Sequence, residues 1–315
     1  GVAFDMRAHG YGSDHLVATT MVLADGRVVR ASAKENADLF WACRGGGGGN
    51  FGINTEFVVE THPVRPNIAF KMVWTERLER LLPALIDALE AAPPRLGSKV
   101  TLQRRSGRTG DTTLVELLGQ LDGTEAELKE ILAPAFAVAR PQTRKLHVGA
   151  YWKGQALLVE HGRPEYFRER SRFVDRRLGG EALDTVFRHM RRWPGADGEV
   201  GIFKVFQPGG EPTRLSPRPT AFAHRDSHWL AAITTSWEAE TGEAALRRIF
   251  AWQDTFYDAI VPFCGPGAYQ NFIDPALENW AACYYRGNLE RLRKIKAKVD
   301  PDNVFRFAQS IRPAA

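Results

Sequence analysis

Cysteine is scarce. Cys43, Cys264 and Cys283 are the only three in 315 residues. An odd number without C-x-x-C spacing suggests neither a disulfide framework nor a zinc site. A reducing cytoplasm is the compartment that fits. No apolar run approaches the roughly 20 residues of a membrane span. The chain does not open on a basic and apolar signal stretch; it opens at Gly1, in what reads as the middle of a domain. One-signed charge is also lacking, because 42 basic and 37 acidic residues leave only +5. That balance is too mild and too dispersed for nucleic acid, and the locally basic stretch from Arg163 to Arg192 reads as a solvated helix face. Internal repeats are missing. What is there, 44% hydrophobic and 25% charged residues, is ordinary for a globular chain with one large or two medium domains.

The low-complexity exception is a run of five glycines, Gly45 to Gly49, preceded by Asp38-Leu39-Phe40-Trp41-Ala42-Cys43-Arg44 and followed by Asn50-Phe51-Gly52. Each glycine loses more backbone freedom on folding than any other residue, so a compact protein keeps such a run where something must approach the main chain closely. An anionic or planar ligand is the expected visitor. A phosphate-binding P-loop needs Lys and then Ser or Thr after its last glycine, and Asn50 and Phe51 stand there instead. Gly47, Gly49 and Gly52 satisfy G-x-G-x-x-G, but the dinucleotide fingerprint runs from strand to helix. Here Glu35 to Cys43 reads as helix and Ile53 to Glu60 as strand, the reverse order. A flexible linker is the bland alternative, although linkers are Ser-rich and polar and this run lies between Trp41 and Phe51.

Elsewhere the pattern is mixed. Leu16 to Leu23 alternates, and Asp25-Gly26 before Val28-Val29 signals a hairpin. Phe70 to Trp74 is strand-like. Leu78, Leu81, Leu82, Leu85, Ile86 and Leu89 then mark a core-facing helix over Glu76 to Ala91, closed by Pro93-Pro94. Ser98 to Arg105 and Thr112 to Leu121 read as antiparallel strands. Thr124 and Glu127 form a capping box for a helix to about Ala133, which Pro134 helps to stop. Leu146 to Arg192 reads as mostly helical, with Tyr151 and Trp152 on a wall or in the core. Gly198 to Gln207 and Trp229 to Trp237 read as strands, Thr241 to Ile260 as an amphipathic helix, and Asn288 to Lys298 as a helix with a cationic end, stopped at Asp300-Pro301. The expected class is α+β, an antiparallel sheet covered on one face by helices.

Three blocks carry a more specific signal. The stretch from Asp38 to Gly52 closely resembles a glycine-rich element of the FAD-linked oxidases of the berberine bridge enzyme-like group, in the vanillyl-alcohol oxidase or PCMH-type FAD-binding superfamily. Thr220-Ala221-Phe222-Ala223-His224-Arg225 resembles an element on the substrate side of the flavin in that group. The segments Tyr269-Gln270-Asn271-Phe272, Tyr284 to Leu292, Asp300 to Phe305 and Gln309 to Ile311 are similar, in order and spacing, to its C-terminal signature.

The resemblance implies the C-terminal part of a PCMH-type FAD-binding domain, residues 1–64 and 281–315, around a substrate domain, 65–280. It implies FAD held by Arg44, Gly45, Gly46, Gly47, Gly48, Gly49, Asn50, Phe51, Gly52, Asn271, Tyr285 and Asn288, with His224 and Arg225 toward the substrate. The implied reaction is hydride transfer to flavin from a C–H bearing O or N in a sugar, alkaloid or polyketide-like molecule. Oxygen is the implied acceptor and no metal is involved. In several relatives a tyrosine acts as base where this chain has Phe272, leaving Tyr269 as the nearest phenol; a free tyrosine titrates near 10 and would need help at neutral pH. From the residues alone, His224 reads first as a satisfied structural histidine. In the group a further N-terminal stretch brings most pyrophosphate contacts, so a separate N-terminal FAD-domain polypeptide is a possible partner. The rival reading is a non-catalytic binding protein that cannot hold FAD.

Overall fold

The computed structural model describes residues 1–159, 166–214 and 220–314. In chain order the helices are α1 (Met6–His9), α2 (Ala37–Cys43), α3 (Leu78–Ala91), α4 (Glu125–Ile131), α5 (Ala133–Val138), α6 (Tyr151–Leu158), α7 (Gly180–Arg191), α8 (Glu211–Arg214), α9 (Glu243–Ile260), α10 (Trp280–Tyr285) and α11 (Leu289–Val299). The strands are β1 (Leu16–Val22), β2 (Val28–Ser32), β3 (Ile53–Val59), β4 (Asn67–Trp74), β5 (Leu96–Arg105), β6 (Thr112–Leu121), β7 (Thr143–Gly149), β8 (Tyr166–Val174), β9 (Val200–Phe206) and β10 (Trp229–Trp237).

Among the described residues the strands form two antiparallel sheets. A small one has the order β2-β1-β3, and its hairpin turns at Gly26, whose φ of 83° suits glycine. The large one has the order β7-β4-β6-β5-β9-β10-β8. Its alternation sorts the side chains. Ile68, Phe70, Met72 and Trp74 of β4 join Val100, Leu117, Phe203 and Ile233 on one face, under Leu85 of α3, Leu183 of α7 and Phe256 of α9. The other face is more polar, with Lys99, Thr101, Glu169 and Thr234 buried on it and Lys204 paired to Glu169. A second core joins Met21 and Leu39 to Trp41 with Tyr284, Leu292 and Ile311. Chain start and chain end therefore pack together beside the large sheet.

Several expectations change. The stretch from Leu146 to Arg192 is not mostly helical, since it holds most of β7 and all of β8 besides α6 and α7. In β8 the arginines recur every second residue, so Arg168, Arg170 and Arg172 share one face of a strand. Arg170 pairs with Asp254 and Asp274, both at 2.9 Å, and lies 3.7 Å over the Tyr257 ring. The solvated helix face holds only for α7, where Arg188 and Arg191 are exposed; residues 163–165 lie outside the described residues. Pro134 does not stop a helix: it sits in the first turn of α5, where a missing N–H costs nothing. Trp152 is 74% exposed, on neither a wall nor a core, and α6 packs against Ala69 on the polar face, so that face is not wholly bare of helix.

Candidate flavin site

The three sequence blocks meet at the end of α2. Ala221 N–H donates to Trp41 O at 3.3 Å and Phe222 N–H to Arg44 O at 3.2 Å. Gln270 Nε2 donates to Gly45 O at 2.9 Å, and Asn288 Nδ2 to Ala221 O at 3.0 Å. Gly45 has a φ of 132°, and a Cβ there would run into the Phe222 backbone. Glycine is thus dictated by a close chain crossing at 45, not by a ligand. Gly46 is equally interior, its Cβ position lying 2.6 Å from Ala42 O. Gly48 is different, with nothing within 4 Å of its Cβ position.

Asn50 shapes the loop from behind. Its Nδ2 donates to Gly46 O at 3.0 Å and Gly48 O at 3.2 Å, and its Oδ1 accepts from Ile311 N–H at 2.8 Å. The C-terminal block supplies the anchor: Lys296, fully buried, donates to Asn50 O at 2.6 Å, Phe305 O at 2.7 Å and Asp300 Oδ2 at 2.5 Å. Asp300 in turn accepts the N–H groups of Val304 at 2.7 Å and Phe305 at 2.9 Å. The Asp-Pro turn is therefore a knot under the glycine loop as well as a helix stop.

In front of the loop lies a cavity of about 250 Å³. Gly45, Gly47, Gly48, Gly49, Asn50, Phe51 and Gly52 line it, as do Tyr269 and Asn271. Arg44, Gly46, Tyr285 and Asn288 do not. The Tyr285 hydroxyl lies behind Gly47, 3.2 Å from that residue's Cβ position. The Arg44 guanidinium sits 4.1 Å over the Phe40 ring. Sequence reasoning missed Tyr11, Asn54, Phe57, Phe222 and Gln270, which also line the cavity. Position next to a recognised residue could have flagged Phe222 and Gln270; nothing local marks Tyr11, which arrives from the chain start.

His224 and Arg225 are both buried and line neither this cavity nor the neighbouring groove. His224 stacks on Phe173 at 4.3 Å and its Nε2 bonds Tyr284 O at 2.9 Å. Burial, helped by the Arg286 charge, pushes its pKa down to about 3, so the ring is neutral. Arg225 holds both oxygens of Asp14 and reaches Thr220 Oγ1 at 2.5 Å. The Tyr269 hydroxyl accepts from Asn271 Nδ2 at 3.0 Å, and burial raises its pKa, the reverse of what a base at neutral pH needs.

A second, open groove of about 680 Å³ adjoins the cavity and shares Asn271 with it. Phe167 and Phe272 form its apolar walls, and Lys204 and Glu169 form its polar side, paired at 2.5 Å. Thr234 Oγ1 also donates to Glu169, at 2.6 Å.

Does this cavity suit a flavin? Its rim of main-chain groups without side chains admits a flat ring, and two buried polar atoms along it have no partner among the described residues: the Tyr11 hydroxyl and Gln270 Oε1. A planar group with both donors and acceptors on its edge would satisfy them. The residues fit.

Comparison with known proteins agrees. The family described as "Berberine and berberine like" matches residues 268–312. The FAD-linked oxidoreductase YvdP of Bacillus subtilis (strain 168) is 30% identical over 317 residues, 98% of this chain and 68% of that protein. The chain belongs to the berberine bridge enzyme-like FAD-linked oxidoreductases. This oxidoreductase is also 33% identical to the glucooligosaccharide oxidase of Sarocladium strictum over 347 residues, covering 100% of the chain and 66% of the relative. The fold matches the berberine bridge enzyme of Eschscholzia californica with a TM-score of 0.84 at 20% identity, over 99% of this chain and 68% of that one. Membership makes FAD the cofactor and a small molecule the substrate, and the rival reading of a non-catalytic binding protein is not favoured. No helix among the described residues is long and apolar enough to cross a membrane.

Proposed function

We propose that the cavity before the glycine loop receives the flavin ring and that the adjoining groove receives an alcohol-bearing substrate of the carbohydrate type. The observation that carries this reading is the sharing of Asn271 between cavity and groove, which puts one amide at the junction where ring and substrate would meet. When bound, FAD supplies the two-electron acceptor for a substrate C–H bond. The chain's own residues hold and orient. Gly47 to Gly49 offer main chain to the ring, and Phe167 and Phe272 offer apolar faces on which a sugar ring can lie. The Glu169 and Lys204 pair offers an acceptor and a donor for hydroxyl groups. Phe272 has no proton to exchange. Tyr269, kept protonated by burial, orients the reacting hydroxyl, whose proton would leave to water in the open groove as the alcohol is oxidised, and His224 and Arg225 act by fastening the segments behind it. Oxygen is the proposed terminal oxidant. Residues 1–64 and 281–315 form the flavin half of this scheme and 65–280 the substrate half. The apolar strip on the small sheet, with Ile53, Phe57 and Val59 all more than half exposed, is the proposed seat for the remainder of a flavin domain.

Oxygen consumption and peroxide formation with a panel of mono- and oligosaccharides, aromatic alcohols and alkaloids test the substrate assignment. Turnover of sugars that falls on Phe167→Ala supports it. Turnover confined to the other alcohols overturns it.

A further inference from the structure

Two polar atoms in the flavin cavity are buried without partners, and they have complementary characters. Tyr11 is 3% exposed and Gln270 4% exposed, and both line the cavity. The Tyr11 hydroxyl makes no hydrogen bond among the described residues. Gln270 spends its amide N–H on Gly45 O at 2.9 Å, which fixes the orientation of the side chain and leaves Oε1 as an acceptor with nothing to accept. A buried polar atom without a partner is costly, so two lining one cavity are a burden that a chain ordinarily avoids. The Tyr11 ring is held by Phe222, 4.6 Å away between centroids, and its N–H is fixed on Asp14 Oδ2 at 2.9 Å, so the hydroxyl is held in place by packing. Burial also raises its pKa, so it remains an O–H donor.

We propose that Tyr11 and Gln270 are a donor and acceptor pair that reads the polar edge of the flavin ring: the Tyr11 O–H donates to a ring carbonyl and Gln270 Oε1 accepts a ring N–H. The proposal rests on the assignment of this cavity to the flavin. It adds two contacts that lie outside the glycine loop, one from the chain start and one from the C-terminal block, so that ring recognition depends on both ends of the chain. No proton changes owner in either contact.

Tyr11→Phe is the clean probe, because it removes only the unpartnered hydroxyl. In the flavin-free protein the thermal midpoint should stay level or rise, since an unsatisfied group is lost. In the flavin-loaded protein FAD should dissociate roughly ten-fold more readily, the loss of one buried hydrogen bond. The flavin reduction potential should also shift negative, because a hydrogen bond to a carbonyl that gains electron density in the reduced ring is gone. Gln270→Glu, which puts an acceptor where the donor to Gly45 stood, should weaken FAD as well. Unchanged affinity and unchanged potential in Tyr11→Phe, with wild-type protein binding FAD normally, would overturn the pair while leaving the cavity assignment standing. Wild-type protein that takes up no FAD overturns both.

Discussion

Lys296→Met is the substitution with the largest calculable effect on the glycine loop. The methionine fills the volume of the lysine stem, so little cavity is created and the change is electrostatic. Lys296 Nζ is fully buried with three oxygen partners, and one of these, Asp300, is a fully buried carboxylate. Breaking a buried pair by removing one partner costs about 3–5 kcal/mol, and the stranded carbonyls of Asn50 and Phe305 fall within that range because the effects overlap. At roughly 2–4 °C per kcal/mol for a chain somewhat shorter than this one, the thermal midpoint should fall by about 6–20 °C. The pH dependence identifies the cause. Burial alone would raise the Asp300 pKa, but Lys296 and the N–H groups of Phe305 and Val304 more than offset it and hold the carboxyl below its ordinary value. In the wild type that contribution is complete above about pH 4 and is lost as pH falls through the lower folded pKa. In Lys296→Met the carboxyl has lost its cation, its pKa rises, and the deficit should shrink as the solution is acidified toward pH 4. Lys296→Met/Asp300→Asn should recover about half of the loss at neutral pH by removing the stranded charge. Differential scanning calorimetry at pH 7 and pH 4.5 reads all three. A midpoint shift below about 2 °C at pH 7, or a deficit that does not change with pH, would refute the reasoning.

The glycine run should respond by position: Gly45→Ala forces a side chain into the Phe222 backbone and should cost about 2–4 kcal/mol in denaturant unfolding, whereas Gly48→Ala should cost under about 1 kcal/mol yet weaken FAD, as a titration would record. Phe272→Tyr places a phenol in the groove near Lys204, whose ammonium lies 5.8 Å from the ring centre, and should raise turnover at least about ten-fold with a new ionisation in the pH–rate profile. His224 has a folded pKa of about 3 against about 6.5 unfolded, so the unfolded chain binds the extra proton and stability should fall as pH drops from about 6.5. His224→Gln should flatten that slope, and stability measured by urea unfolding at pH 7 and pH 5 checks it.

Much of this architecture was legible because period and function agree. Trp229–Trp237 and Thr112–Leu121 are unbroken runs rich in aliphatic, aromatic and threonine residues, and the apolar stripe of α3 repeats at helical spacing. β8 was hidden because its alternation is between arginine and smaller or polar residues, a period-2 pattern that composition reads as a basic helix; only the tertiary partners Asp254, Tyr257 and Asp274 make those arginines interior. Within the site, glycine content pointed to the right loop but not to the reason for each glycine. Gly45 is required by a chain crossing, Gly46 by the tight turn that ends α2, and Gly48 faces open space, a distinction that depends on where Phe222 and Ala42 O lie. The resemblance that set His224 and Arg225 toward the substrate covers the whole element from Thr220 to Arg225; Ala221 and Phe222 of that element do reach the loop, while the two polar residues turn inward to Tyr284 and Asp14. Tyr11 carried no local signal, since its role arises from a cavity wall assembled by segments more than 200 residues apart.

The measurement that bears most directly on the central claim is a visible absorption titration of the purified protein with FAD. The account predicts saturable one-to-one uptake, with a flavin spectrum shifted and better resolved than that of free FAD, and with uptake sharply reduced by Gly48→Trp. A spectrum that remains the simple sum of protein and free FAD, or uptake indifferent to a tryptophan at position 48, would contradict it.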